Sequence, residues 1–267
     1  MAKLKYTFKT DILFKILFTK YQHLLRKLVA HLLKIPIDTI TKFHVNNPEM
    51  PPDVVGVKFS QLDIHMTVDN RQVNLEVQVE NEGDFPERVM FHWARIYSKA
   101  LPVGENYKEL PQTIIISIVN FPLFKDTKDY YSEFRLLETT RKSHLTDKQI
   151  YHFFELPKLP KDTDKNNLLN LWLALFKANT EEEMQMLEEL NVSEVNEAIT
   201  AYRTVTSSDE LWEIERQLER ARMNEASVVH NAEKREAEKW KGIVAEKDAE
   251  LEMLQKQLAE LQQKQDN

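Results

Sequence analysis

The stretch from Val57 to Val79 constrains this chain more than any other. Apolar and polar residues alternate as VKFSQLDIHMTV, break at Asp69-Asn70-Arg71, and alternate again as VNLEVQV. A period of two sends successive side chains to opposite faces of an extended backbone, so a β-hairpin is expected. Each arm holds a carboxylate, Asp63 in the first and Glu76 in the second, and Gln78 shares the face of Glu76. An acid in the middle of an apolar strand is costly to bury unless it is paired or binds a cation, and two on neighbouring strands repel. A divalent ion removes that conflict, and hard oxygen ligands suit Mg²⁺ or Mn²⁺, which also accept a phosphate oxygen. Bound there, such an ion activates water and polarises a phosphodiester, so hydrolysis is the chemistry this constellation fits. Spacing alone leaves a second account open, in which Asp, Glu and Gln are solvated residues on an exposed strand face. His65 lies on the face of Asp63, as a fourth polar group or as a histidine satisfied by a local hydrogen bond.

The flanking segments extend the pattern. Apolar residues from Ile12 to Leu32 recur at three- and four-residue steps, which predicts one amphipathic helix over Asp11 to Leu33, opened by Thr10-Asp11 and closed by Ile35-Pro36. A short strand at Phe43 to Val45 follows, then a loop imposed by Pro48, Pro51 and Pro52. After the turn at Gly83-Asp84 a helix is expected from about Pro86 to Ala100, with Pro102 beyond its end. The run TIIISIV, Thr113 to Val119, has the β-branched density of a strand buried on both faces. The expected core is therefore α/β: helix, three strands, helix, strand. Further strands near Tyr131 to Leu137 and Tyr151 to Leu156, and helices near Leu168 to Lys177, Glu181 to Leu190 and Val195 to Arg203, add to it.

From Asp209 onward there is no Pro and a single Gly, which predicts one long helix with local interruptions. Ala237, Trp240, Val244, Leu251, Leu254, Leu258 and Leu261 fall at alternating a and d positions, with Lys247 as the polar intruder, and this is a coiled-coil seam. Leu211, Ile214, Leu218, Ala221 and Val228 keep the spacing in another phase. The expected division is 1–160 for the core, 161–208 for a helical extension and 209–267 for the long helix.

The absence of cysteine excludes disulfides, thiolate zinc sites and a cysteine nucleophile, so any metal sits on oxygen or imidazole. No apolar run approaches the roughly 20 residues that cross a bilayer, and MAKLKYTFKTD lacks the features of a signal peptide, so a cytoplasmic protein is expected. The net charge of -7 hides a basic front, where nine lysines and arginines from Lys3 to Lys42 face only Asp11 and Asp38. That front either meets phosphate or is a solvated helix face.

Three blocks, in order, resemble the recombination-promoting nuclease and transposase family of the PD-(D/E)XK nuclease superfamily. KTDILFKILF is similar to its N-terminal Asp-x-x-Phe-Lys helix, VKFSQLDIHMTVDNRQVNLEVQVE to its nuclease core, and ERVMFHWARIYSKAL to the helix with an Arg and a Tyr after the Glu-x-Gln strand. The resemblance implies a restriction-endonuclease-like fold, DNA cleavage with Mg²⁺ or Mn²⁺, and a part in DNA recombination or in mobile-element and phage biology. It implies Asp63 and Glu76 as metal ligands and Asp11 as a further acidic member of the centre. Gln78 stands where the broader superfamily often has Lys, although Gln is the family's own habit, and Leu62 replaces the superfamily's Pro before Asp63. Glutamine orients only by hydrogen bonds, so either another cation substitutes or activity is low. Lys15, one turn after Asp11, is the candidate, or else simply the partner of Asp11 in an intrahelix ion pair. Arg88, Arg95 and Tyr97 are candidates for contact with DNA phosphates, Tyr97 being equally a core residue, and Trp93 is expected to be buried. The C-terminal helix is expected to make a homodimer or higher oligomer, or to pack back on the core. Two other functions stay open: a catalytically silent scaffold that binds DNA or protein and assembles through its coiled coil, and a transposase performing strand transfer.

Overall fold

The isoleucine-rich run is the spine of the molecule. In a computed structural model, which describes residues 2–46, 62–101, 104–162 and 164–265, it forms β4 (Gln112–Val119), buried along almost its whole length. A strand so apolar on both faces needs cover on both and partners on each edge. It pairs in parallel with β3 (Arg71–Gln78) on one side and β6 (Gln149–Glu155) on the other. Antiparallel neighbours complete the sheet: β2 (Leu62–Val68) on β3, β1 (Phe43–Val45) on β2, and β5 (Tyr131–Arg135) on β6. The order is β1-β2-β3-β4-β6-β5. The hairpin expected from the alternation is β2–β3, turning at Asp69-Asn70; Asp69 has φ 53, a conformation that short polar side chains tolerate. The Asp69 carboxylate accepts from the backbone N–H groups of Thr41 and Lys42 at 2.8 and 2.9 Å, tying the turn to the segment before β1.

Parallel pairing of β3 with β4 demands a crossover, and α3 (Phe85–Lys99) supplies it, with Pro86 in its first turn. One sheet face is apolar, buried at Ile64, Met66, Leu75, Val77, Ile116 and Ile118, and α1 (Asp11–Lys20) packs against β2. The other face is divided. Over β4 and β6 it is apolar, where Phe85 and Val89 of α3 meet Ile115, Val119, Tyr151 and Phe153. Over β2 and β3 it is polar, with Asp63, His65 and Thr67 opposite Glu76, Asn74 and Gln72.

The single helix expected over Asp11 to Leu33 is two, α1 and α2 (Gln22–Leu32), broken at Tyr21 with φ -111 and ψ 62. Leu17 and Leu24 stand seven residues apart, so the apolar spacing runs through the break and conceals it. The helices differ in burial: α1 is enclosed at Ile12, Leu13, Phe14, Ile16, Leu17 and Phe18, whereas α2 has a one-sided stripe. The enclosure of α1 comes partly from the segment after residue 160. In α4 (Leu168–Lys177), Trp172 and Phe176 pack their rings on Phe18 and Phe14, and in α6 (Ser193–Thr206) Tyr202 stacks on Phe8 and donates to the Tyr6 carbonyl at 2.8 Å. Between them lies α5 (Glu181–Glu189), opened by a capping box of Thr180 and Glu183.

The last helix, α7 (Asp209–Gln265), is continuous where local interruptions were expected. The described residues form two compact units, the first ending at Ile214 and the second beginning at Glu215. In the second unit the seam residues Trp240, Val244, Leu251 and Leu254 are all exposed. The side chains of Leu218, Ala221, Leu258 and Leu261 lie outside the described residues, as do Pro48, Pro51, Pro52, residues 57–61 and Pro102. Among the described residues no helix is long and apolar enough to cross a membrane.

Phe85 seats α3 on the sheet, with T-shaped contacts to Phe121 and Phe153. Phe85→Ala should lower unfolding free energy by about 3–5 kcal/mol, read by urea denaturation.

Candidate active site

The β2–β3 register sets Asp63 directly opposite Glu76. Partners of this kind share a face, with Cβ atoms about 4.5–5.5 Å apart, so the two carboxylates belong to one site. On the other side Glu76 is level with Ser117 of β4. Glu76 is 1% exposed. The crossover helix answers its charge: Arg88 Nη2 donates to Glu76 Oε1 at 3.2 Å, and Nη1 donates to Glu82 Oε2 at 3.0 Å. Burial raises the Glu76 carboxyl to about 7, opposed by Arg88 and reinforced by the Asp63 charge. Burial also raises Asp63 above the usual carboxylate range, opposed chiefly by Lys15 and reinforced by Asp11. Those two side chains form an ion pair of 3.3 Å one turn apart on α1. Residues from α1, β2, β3 and α3 therefore act on one pair of acids.

The donor set fits a hard divalent cation. Glu76 Oε2 is buried and has no hydrogen-bond partner among the described residues, and the same holds for Ser117 Oγ. A carboxylate oxygen left without a donor in the interior is unfavourable, and a cation beside it relieves that. Among the described residues there is no group of three or more His, Asp or Glu arranged to hold a metal ion. Magnesium does not require one, since it commonly takes one or two protein carboxylates and completes its shell with water and substrate oxygens.

The other expected site residues divide. Lys15 is the partner of Asp11 in an intrahelix ion pair, and its charge also acts on Asp63. Gln78 lies two residues beyond Glu76 on β3, and its Nε2 donates to the Glu80 carbonyl at 2.9 Å. Arg95 is exposed, acts on Asp63 and lines a cavity with it. Tyr97 stacks on Trp93 at 4.6 Å, and Trp93, half-buried, donates from its indole N–H to the Thr113 carbonyl and packs on the apolar half of the sheet. His65 is 2.9 Å from Gln72 Oε1, in keeping with the local hydrogen-bond account.

Sequence reasoning took Arg88 as a phosphate contact and missed its bond to Glu76. It also missed Ser117 and Asn74. For Ser117 a signal existed, a hydroxyl inside an isoleucine run, but which acid it would stand beside depends on parallel register, and no local pattern encodes that.

A family model described as PD-(D/E)XK nuclease family transposase matches residues 8–232. No curated protein and no solved structure matches the chain.

In chelator, Glu76→Gln should be more stable than wild type above pH 7. Glu76 binds its proton more tightly folded, with its pKa raised from 4.5 to about 7, than unfolded. Wild type therefore loses stability relative to the variant as pH rises through that window. The gap should open from near zero at pH 4.5 to about 2–3 kcal/mol at pH 8, measured by denaturant titration at each pH.

Proposed function

The chain belongs to the PD-(D/E)XK nuclease family transposases, and from that premise we propose that it is a DNA endonuclease hydrolysing phosphodiester bonds with Mg²⁺ or Mn²⁺ held by Asp63 and Glu76. The observation behind this reading is the cross-strand pairing of the two acids, one of them with a buried oxygen that has no donor among the described residues. When bound, the ion supplies an activated water and charge stabilisation at the scissile phosphate.

The protein's own residues do the rest. Arg88, bonded to Glu76 and Glu82, keeps the Glu76 carboxylate oriented and lends positive charge beside the phosphate site. Gln78 brings no charge, so Lys15 takes the part that lysine has elsewhere in the superfamily, with Asp11 holding it one turn away. Arg95 offers a contact to a flanking phosphate. The exposed apolar seam of α7 supports assembly into a homodimer or higher oligomer, which would present two centres to the two strands of a duplex. Such an enzyme suits DNA recombination or mobile-element biology.

Purified protein should nick or linearise supercoiled plasmid with Mg²⁺ or Mn²⁺ and leave it intact in chelator. Asp63→Ala and Glu76→Ala should abolish cleavage, and Lys15→Ala should slow it on the order of 10²-fold, the scale of losing one charge-stabilising group. Equal cleavage by wild type and Asp63→Ala would trace the activity to a contaminant and end this reading. DNA binding indifferent to metal, with no cleavage, would favour the scaffold.

A further inference from the structure

Beside Asp63, between the hairpin face and the last turns of α3, lies a cavity of about 520 Å³. Thr67, Gln72 and Asn74 line it from the sheet, and Arg95 and Lys99 line it from the helix, one turn apart. Four of its polar side chains, Asn46, His65, Thr67 and Gln72, are engaged with one another. Gln72 Oε1 is 2.9 Å from His65 Nε2 and accepts from Asn46 Nδ2 at 3.3 Å, while Gln72 Nε2 donates to Thr67 Oγ1 at 3.3 Å.

Asn74 stands outside that group. Its side chain is 1% exposed, and both its Nδ2 and its Oδ1 are buried with no hydrogen-bond partner among the described residues. A donor and an acceptor left side by side in the interior are unfavourable, by about 1–3 kcal/mol for each group, and packing does not call for them here. Asn74 is level with Ile115 on one side and His65 on the other, so a leucine of similar size would fill the same space. An adjacent donor and acceptor at a cavity wall match a ligand edge that presents the complementary pair, as nucleobase edges do. The two cations of α3 provide for a phosphate on the same ligand. The volume falls in the range of sites for molecules of nucleotide size. A base stacked inside a duplex is not able to enter such a cavity, whereas an unstacked one is.

We propose that this cavity takes the base of one unpaired deoxynucleotide next to the phosphate presented to Asp63 and Glu76, so that the protein acts where DNA is bulged, branched or single-stranded. This rests on reading the neighbouring acids as a nuclease centre.

The test is binding in chelator, by fluorescence anisotropy, of a labelled duplex with one unpaired adenosine against the same duplex fully paired. The bulged duplex should bind about tenfold more tightly, the scale of one two-point hydrogen-bonded contact to a base. Asn74→Leu, shown to be folded by its circular dichroism and melting curve, should bring the ratio close to one. Lys99→Ala, at an exposed position, should weaken the bulged duplex more than the paired one. Equal affinity of wild type for the two duplexes, or a preference that survives Asn74→Leu, overturns the proposal. The assay contains no metal, so the two readings fail separately. Plasmid cleavage without the preference removes the pocket and keeps the nuclease, whereas the preference without cleavage in Mn²⁺ does the reverse.

Discussion

Two carboxylates facing each other across an antiparallel pair, one of them buried under a helix, set the terms for the rest of this molecule. Glu76 sits on a strand flanked on both sides, with Asp63 opposite in β2 and Ser117 level with it in β4. It is almost wholly buried, and like charge stands next to it. The same connection that closes the parallel pair supplies the answer, because the crossover from β3 to β4 passes over that face as α3 and carries Arg88 to within 3.2 Å of the Glu76 carboxylate. Topology and charge compensation are one device here. Without parallel pairing there would be no crossover, and without the crossover the buried acid would have no cation of its own.

The sheet face under α3 divides into a half that holds the helix and a half that carries the candidate site. Phe85, Val89 and Trp93 bury against the β4–β6 side, and that packing fixes how far α3 stands above the carboxylates. Asn74 and Glu76 of β3, with Thr113 and Ser117 on the adjoining β4, each keep a buried polar atom without a partner among the described residues. Native interiors rarely leave several such atoms close together, and where they do a ligand, ion or water is the usual reason. Apolar packing is concentrated between α3 and the β4–β6 side, and unsatisfied polarity along β3 and the β4 residues beside it.

The helices after residue 160 belong to the same argument. Phe176 and Trp172 of α4 pack on Phe14 and Phe18, and Lys9, just ahead of α1, donates to the Phe176 carbonyl at 2.7 Å and to Asn179 at 3.0 Å. These contacts hold α1 in place, and α1 carries Asp11 and Lys15. A segment that reads as an extension thus braces the helix whose charges act on Asp63.

Local pattern made much of this readable. Alternation revealed the hairpin and put Asp63, Glu76 and Gln78 on it, β-branched density marked β4, and α3 and α4 start and stop within a residue or so of where their apolar spacing and prolines place them. It failed at Tyr21, where a seven-residue apolar step spans a break, and at Arg88, Ser117 and Asn74, whose partners or lack of them are set by residues far along the chain. Periodicity states which face a side chain takes, because that follows from backbone geometry over a few residues. What stands opposite it follows from strand register and from where a crossover helix lands, and those arise only when distant segments pack. The amino-acid sequence by itself therefore determined the elements and, through the hairpin, the facing of Asp63 and Glu76, while the guanidinium above them and the amide beside them, without a partner among the described residues, were decided by the tertiary structure.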